Sequence, residues 1–133
     1  ETKSLDSKIE LNLKTKAKRL AQNLNFYGVL AIELFELLDG SIVFNEIAPR
    51  PHNSFHWTLN GCNSSQFDIL VRTICGLPVK DVDCNGKWEM TNLIGQDINN
   101  INLYKDQNYI LHIYGKKDVK PDRKMGHFNK NIS

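Results

Sequence analysis

The 133-residue sequence has no apolar run approaching the roughly 18 to 20 residues that a membrane span needs, so a bilayer-spanning helix is excluded. Charge of one sign is equally scarce. Seventeen basic against 15 acidic residues leave a formal charge of +2, too little to imply a nucleic-acid or membrane partner, which needs a concentrated basic face. Only three cysteines are present, Cys62, Cys75 and Cys84, odd in number and widely spaced. That count argues against a disulfide framework or a paired zinc motif and fits free thiols in a reducing, cytoplasmic setting. After Glu1 there is neither the apolar stretch of a signal peptide nor the acid-poor pattern of a transit peptide, and the start reads as cut from something longer. Internal repeats are absent, and asparagine is the one residue in evident excess.

What is present is ordinary for a soluble domain: 41% hydrophobic and 24% charged residues in a chain long enough for one compact unit with a small appendage. From Ser7 to Leu24, Ile9, Leu13, Ala17, Leu20, Ala21 and Leu24 recur at spacings of three and four, with Lys8, Lys14, Lys16, Lys18 and Arg19 on other faces. This pattern predicts an amphipathic helix with a solvated basic side. Tyr27 to Leu38 and Ser41 to Ile47 are apolar runs flanking Asp39-Gly40, the signature of a β-hairpin. Pro49 and Pro51 end the second strand, and Gln66 to Cys75 carries Phe67, Leu70, Val71 and Ile74 at helical spacing before Gly76 and Pro78. Further on, Trp88 to Ile94 and Tyr109 to Tyr114 read as short strands separated by the polar segment Gln96 to Asn108.

The hairpin carries the chemistry. Symmetric pairing about Asp39-Gly40 sets Phe35 opposite Phe44 and Glu33 opposite Glu46, with Val29, Ala31 and Phe35 on the face of Glu33 and Ile42 and Phe44 on that of Glu46. Like charges directly opposed across a strand pair are destabilising, so something must offset them. Either another register or separate Lys or Arg partners would do so. So would a divalent cation, because hard oxygen ligands suit magnesium, which bridges one or two carboxylates to substrate phosphates.

Glu46 lies in the run Asn45-Glu46-Ile47-Ala48-Pro49-Arg50-Pro51-His52-Asn53-Ser54. A strand-end acid is thus followed by a stiffened turn offering a guanidinium fork, an imidazole, an amide and a hydroxyl. Arg50 could grip bicarbonate or a carboxylate in bidentate fashion beside a metal-bound nucleotide. Lys116, Lys117, Lys120, Arg123 and Lys124 form a second basic loop suited to phosphate. His56, His112 and His127 are expected as packing or hydrogen-bonding histidines, and Trp57 and Trp88 as core or pocket wall. Cys62 has no neighbouring base that would make it a nucleophile.

These motifs, preceded by Gly28-Val29-Leu30-Ala31-Ile32-Glu33-Leu34-Phe35, closely resemble the N5-carboxyaminoimidazole ribonucleotide synthase family of ATP-grasp ligases. Ser65-Gln66-Phe67, Gly76-Leu77-Pro78, His112-Ile113-Tyr114-Gly115-Lys116 and Arg123-Lys124-Met125-Gly126-His127 fit as well, the last two as that family's closing strand, loop and strand. The resemblance implies an α+β chain. Residues 1–78 would be the C-terminal part of an ATP-grasp domain, an antiparallel sheet with flanking helices, and residues 79–133 a small β-rich C-terminal domain. It implies two magnesium ions on Glu33 and Glu46, and ATP against Asn45 and Glu46. It places Arg50, His52, Asn53 and Ser54 at bicarbonate or 5-aminoimidazole ribonucleotide, the first three as catalytic groups, with Lys116 and Arg123 on that nucleotide's phosphate. Two positions depart from the family: Phe55 and Asp122 stand where glycine is usual.

The activity implied is ATP-dependent carboxylation of the aminoimidazole nucleotide by a cytoplasmic enzyme of purine biosynthesis. The sequence lacks the glycine-rich phosphate-covering loop and nucleotide-binding strands of such an enzyme, so this chain alone is expected to be inactive and to need the missing N-terminal part. A homodimer is compatible with the sequence, and neither nucleic acid nor membrane is expected as a partner. Another ATP-grasp carboxylase or formate-using ligase is the enzymatic alternative, separated by its need for bicarbonate and an aminoimidazole nucleotide. A non-catalytic anion-binding or partner-binding module would tolerate loss of Glu33 and Glu46.

Overall fold

The computed structural model describes residues 6–104 and 108–133, and the chain divides into two compact units. One runs to Asn53 and takes in Gln66–Lys80; the other comprises Ser54–Ser65 and Asp81–Ser133. The division expected at 78/79 therefore differs chiefly in residues 54–65, which belong with the later part of the chain. Backbone bonds hold them there: the N–H of Asn63 donates to the Asp83 carbonyl at 2.9 Å, and that of Asn85 to the Gly61 carbonyl at 2.8 Å. A Cys62–Cys84 disulfide closes the same bridge across 22 residues of sequence. Wide spacing in sequence was thus a poor guide to these cysteines. Asn63 and Asp83 are paired by the fold, which brings the flanking thiols together, while Cys75 remains free and exposed.

The first unit opens with α1, Ser7–Asn23, whose first-turn amides of Lys8 and Ile9 donate to the Asp6 carboxylate at 2.8 and 3.4 Å. Ile9, Leu13, Ala17, Leu20 and Ala21 form the half-buried stripe, and the basic residues on the other faces are exposed. Leu24 falls outside the stripe, as an exposed C-terminal cap.

β1, Ala31–Glu36, and β2, Ile42–Ala48, form the antiparallel hairpin. Its turn has three residues rather than two: the Leu37 amide donates to the Ser41 carbonyl at 2.8 Å, and Gly40 takes φ +81°. That choice moves the near-turn register by one, so Phe35 faces Val43 and Leu34 faces Phe44 instead of the expected Phe35–Phe44 pair. A bulge between Glu33 and Leu34, with Asn45 as the extra residue of β2, then restores the alignment, and Glu33 does face Glu46. The faces are re-sorted accordingly. Ile42 and Phe44 leave the side of Glu46 and join Leu30, Ile32 and Leu34 in lining an apolar groove of about 490 Å³ with Leu13, Ala17 and Leu20 of α1.

After β2 the chain turns through Arg50–Asn53, passes through the short α2 of the other unit, Thr58–Gly61, and re-enters this unit as α3, Gln66–Ile74. Ala31 and Ala48, opposite each other in the hairpin, are the buried apolar residues of the first unit, whereas Phe35, Val43 and Phe44 are exposed.

The second unit is built on β3, Trp88–Ile94, β4, Ile110–Ile113, and β5, Lys124–Asn131, antiparallel in the order β3-β5-β4. Leu93, Met125 and Phe128 form its apolar core. Gly61 lies where a Cβ would come within 2.8 Å of the rings of both Trp57 and Trp88, so only glycine fits between them. The polar segment Gln96 to Asn108 that separates two of these strands begins as a 3-10 helix over Gly95–Tyr104. Its start is fixed by Gly95 at φ +52° and by the Asp97 carboxylate accepting from the Ile94 amide at 2.9 Å. Residues 105–107 of that segment lie outside the described residues. No described helix is long and apolar enough to cross a membrane.

Candidate metal and anion site

The hairpin, the bulge and the turn after β2 bring five of the expected site residues together. Glu33 and Glu46 are opposed, and Asn45, released from pairing by the bulge, donates its side-chain amide to Glu33 Oε2 at 3.2 Å. Pro49 and Pro51 bias the residues before them toward extended backbone, which carries the chain past the strand end and back over the acids. His52 results in an intermediate position, Nδ1 3.5 Å from Glu33 Oε1 and Nε2 3.8 Å from Glu46 Oε1, its side chain only 13% exposed. Arg50 lies at the rim, Nη2 4.0 Å from Glu46 Oε1, and donates through Nη1 to the Pro51 carbonyl at 3.0 Å.

Glu33, Glu46 and His52 each offer a ligand atom within 4.8 Å of the others, so the donor set fits one divalent cation on oxygen, with an imidazole nitrogen adjacent. The glutamates are 38% and 50% exposed, open to a ligand arriving from solvent. Neither is neutralised by a close Lys or Arg pair among the described residues; the arginine contact is the 4.0 Å one.

Asn53 begins the 3-10 turn Asn53–Phe55 and is half-buried, the last site residue of the first unit. Ser54 is exposed and opens the second. Phe55 adopts no positive φ, so the backbone here makes no demand for the glycine that the resemblance led one to expect. Within the second unit, Lys116 and Arg123 lie in the β4–β5 connection. Lys116 donates to the Lys124 carbonyl at 2.6 Å and stands 5.3 Å from the centre of the Tyr114 ring; Arg123 donates to the Asp118 carbonyl at 3.2 Å. Both cations are thus held by backbone carbonyls rather than by carboxylates in these contacts, which leaves positive charge for an anion.

The three remaining histidines pack as expected. His112 stacks on His127 with ring centres 4.6 Å apart, and His56 lies 5.1 Å from His127. His112 Nε2 bonds Asn60 Oδ1 at 2.9 Å, and His127 Nδ1 bonds the Tyr114 hydroxyl at 2.8 Å. Burial, reinforced by His112 and then His56, pushes His127 down to about 4, and burial also lowers His112 and raises Tyr114.

One contact was missed in the sequence. Gln66, 4% exposed at the start of α3, accepts from the His52 amide at 2.8 Å and donates to the His52 carbonyl at 2.9 Å. The available signal was Ser65-Gln66-Phe67, which carries part of the family resemblance and the helix start but does not disclose this contact.

Residues 1–67 match the ATP-grasp domain model, and residues 89–131 match the model of the phosphoribosylaminoimidazole carboxylase C-terminal domain. This chain belongs to the ATP-grasp family. Among ATP-grasp relatives it is 44% identical over 115 residues to the N5-carboxyaminoimidazole ribonucleotide synthase of Brucella melitensis, covering 86% of this chain and 32% of that protein. A crystal structure of an N5-carboxyaminoimidazole ribonucleotide synthetase in complex with ADP superposes with a TM-score of 0.87 at 38% identity, over 96% of this chain and 34% of the other. The Aspergillus clavatus N5-carboxyaminoimidazole synthase with ADP and 5-aminoimidazole ribonucleotide gives 0.76 at 35% identity, over 89% and 35%. The chain therefore spans about a third of the length of the ATP-grasp proteins it matches. Its α+β architecture, antiparallel sheets with accompanying helices, is that of the C-terminal part of such a protein.

Proposed function

We propose that the full-length protein carboxylates 5-aminoimidazole ribonucleotide, using ATP and bicarbonate, to give N5-carboxyaminoimidazole ribonucleotide, ADP and phosphate in purine biosynthesis. The observation that carries this reading is the opposed pair Glu33 and Glu46 with His52 and Arg50 over it, in a chain similar along most of its length to synthases of that name.

Glu33 and Glu46 would hold magnesium, and the oxygen-rich donor set fits it. When bound, the metal supplies positive charge against the polyphosphate of ATP. Asn45 braces Glu33 through its amide and, with Glu46, faces the nucleotide in this reading. A bicarbonate oxygen attacks the γ-phosphorus, the bond to the ADP oxygen breaks, and carboxyphosphate forms; the substrate amine then takes the carboxyl carbon and phosphate leaves. Arg50 fits the role of bicarbonate clamp because its planar guanidinium forks toward two oxygens. His52, Asn53 and Ser54 orient the acceptor, and Lys116 and Arg123 take the ribonucleotide phosphate.

The test is steady-state ADP release by the full-length protein. The reading expects release that depends jointly on bicarbonate and 5-aminoimidazole ribonucleotide, and none from the 133-residue chain alone. Release indifferent to bicarbonate, or satisfied by formate, would assign the protein to another ligase.

A further inference from the structure

We propose that Gln66 is a positioning residue for the carboxylation, acting by clamping the backbone of His52; the proposal rests on the reaction just described. The need for a clamp arises from the sequence of the turn. Pro49 and Pro51 restrict the residues that precede them, Ala48 and Arg50, and supply no amide hydrogens of their own. His52 follows the second proline, where that restriction ends, so its backbone must be fixed by other means. Gln66 supplies them with a primary amide that imitates a neighbouring strand: Oε1 accepts from the His52 N–H at 2.8 Å while Nε2 donates to the His52 carbonyl at 2.9 Å.

The chemistry of this contact selects glutamine. Glutamate keeps an acceptor for the N–H but loses the donor for the carbonyl, asparagine is a methylene too short, and an apolar side chain loses both bonds. At 4% exposure the amide is shielded from water, so the two bonds are not readily exchanged for solvent. Their consequence appears at the imidazole, whose two nitrogens lie 3.5 and 3.8 Å from Glu33 and Glu46. Rotation of the peptide at His52 would swing the ring away from both carboxylates, and a displacement of about 1 Å in a positioning group can cost on the order of 100-fold in rate.

The experiment uses the full-length enzyme with Gln66→Met, which preserves length and apolar volume but removes both bonds. Expected is a fall in kcat/KM for the aminoimidazole nucleotide of roughly 10- to 100-fold. In a His52→Ala background the same change should cost less than about twofold, because the imidazole it positions is gone. Wild-type kinetics for Gln66→Met, or an equal loss in both backgrounds, would overturn the proposal, the latter marking a general structural role. Hydrogen exchange at the His52 amide gives a readout independent of turnover: slow in wild type, and at least about tenfold faster in Gln66→Met. A fast-exchanging His52 amide in the wild-type protein would refute the clamp even if the variant failed to fold. A wild-type enzyme that performs no bicarbonate-dependent carboxylation would instead refute the reaction, leaving the exchange measurement to decide the contact.

Discussion

Glu33 and Glu46 face each other across the hairpin only because two irregularities cancel: a three-residue turn shifts the strand register by one, and the bulge at Asn45 shifts it back. Without the bulge Asn45 would oppose Glu33, and Glu46 would point to the other side of the sheet. The apolar side of the hairpin is set by the same bulge, which sends Ile42 and Phe44 to the groove beneath α1.

Opposed carboxylates should reveal themselves in the metal-free protein. Glu33→Gln removes a like-charge pair and weakens only a 3.5 Å imidazole contact and an amide bond, so unfolding free energy should change by less than about 1 kcal/mol. Urea denaturation in the presence of a chelator checks this, and a loss several times larger would mean that Glu33 is a structural ion-pair partner.

The Cys62–Cys84 bridge encloses a 22-residue separation, and chain-entropy arguments give such a crosslink about 3 kcal/mol. Cys62→Ser in the oxidised protein should therefore lower stability by about that amount, with dithiothreitol reproducing the loss in wild type. Equal denaturation midpoints for wild type and variant under non-reducing conditions would show that the bridge does not form.

Acid should weaken the second unit through His127. Its folded value, about 4, lies below the ordinary 6.5, so as pH falls below the latter the unfolded chain binds a proton that the folded unit refuses. Stability contributed by neutral His127 is thus complete above pH about 6.5 and declines as pH falls toward about 4. His112, lowered by burial, acts in the same sense. Denaturation midpoints across this window should decline less steeply for His127→Gln than for wild type; identical slopes would exclude His127 as the source.

Lys116 and Arg123 should matter to one substrate only. Replacing either with alanine in the full-length protein should raise KM for the aminoimidazole nucleotide roughly tenfold or more, as expected for loss of a charge-assisted phosphate contact. The KM for magnesium-ATP should remain within about twofold. A rise in the ATP value instead would move the basic loop to the nucleoside triphosphate.

Much of this was legible in the residues. The 3.6-residue spacing of Ile9, Leu13, Ala17 and Leu20 marks α1, because that pattern follows from which side is buried, and Trp88 to Ile94 is a strand over the span expected. The opposition of Glu33 and Glu46 was readable only through a symmetric turn that does not occur, and the neighbouring Phe35–Phe44 pair failed for that reason. Bulges and turn lengths depend on Gly40 reaching positive φ and on Asn45 finding a partner, which no periodicity records. Disulfide pairing and the Gln66 clamp join residues 22 and 14 positions apart, and such contacts emerge only when the chain is folded.

The measurement that bears most directly on the whole account is bicarbonate-dependent ADP release by full-length protein carrying Glu33→Gln or Glu46→Gln at saturating magnesium. Loss of turnover by at least about 100-fold in each, with fold retained, is the expected result. Turnover undiminished in either would contradict a metal-nucleotide site on these two acids.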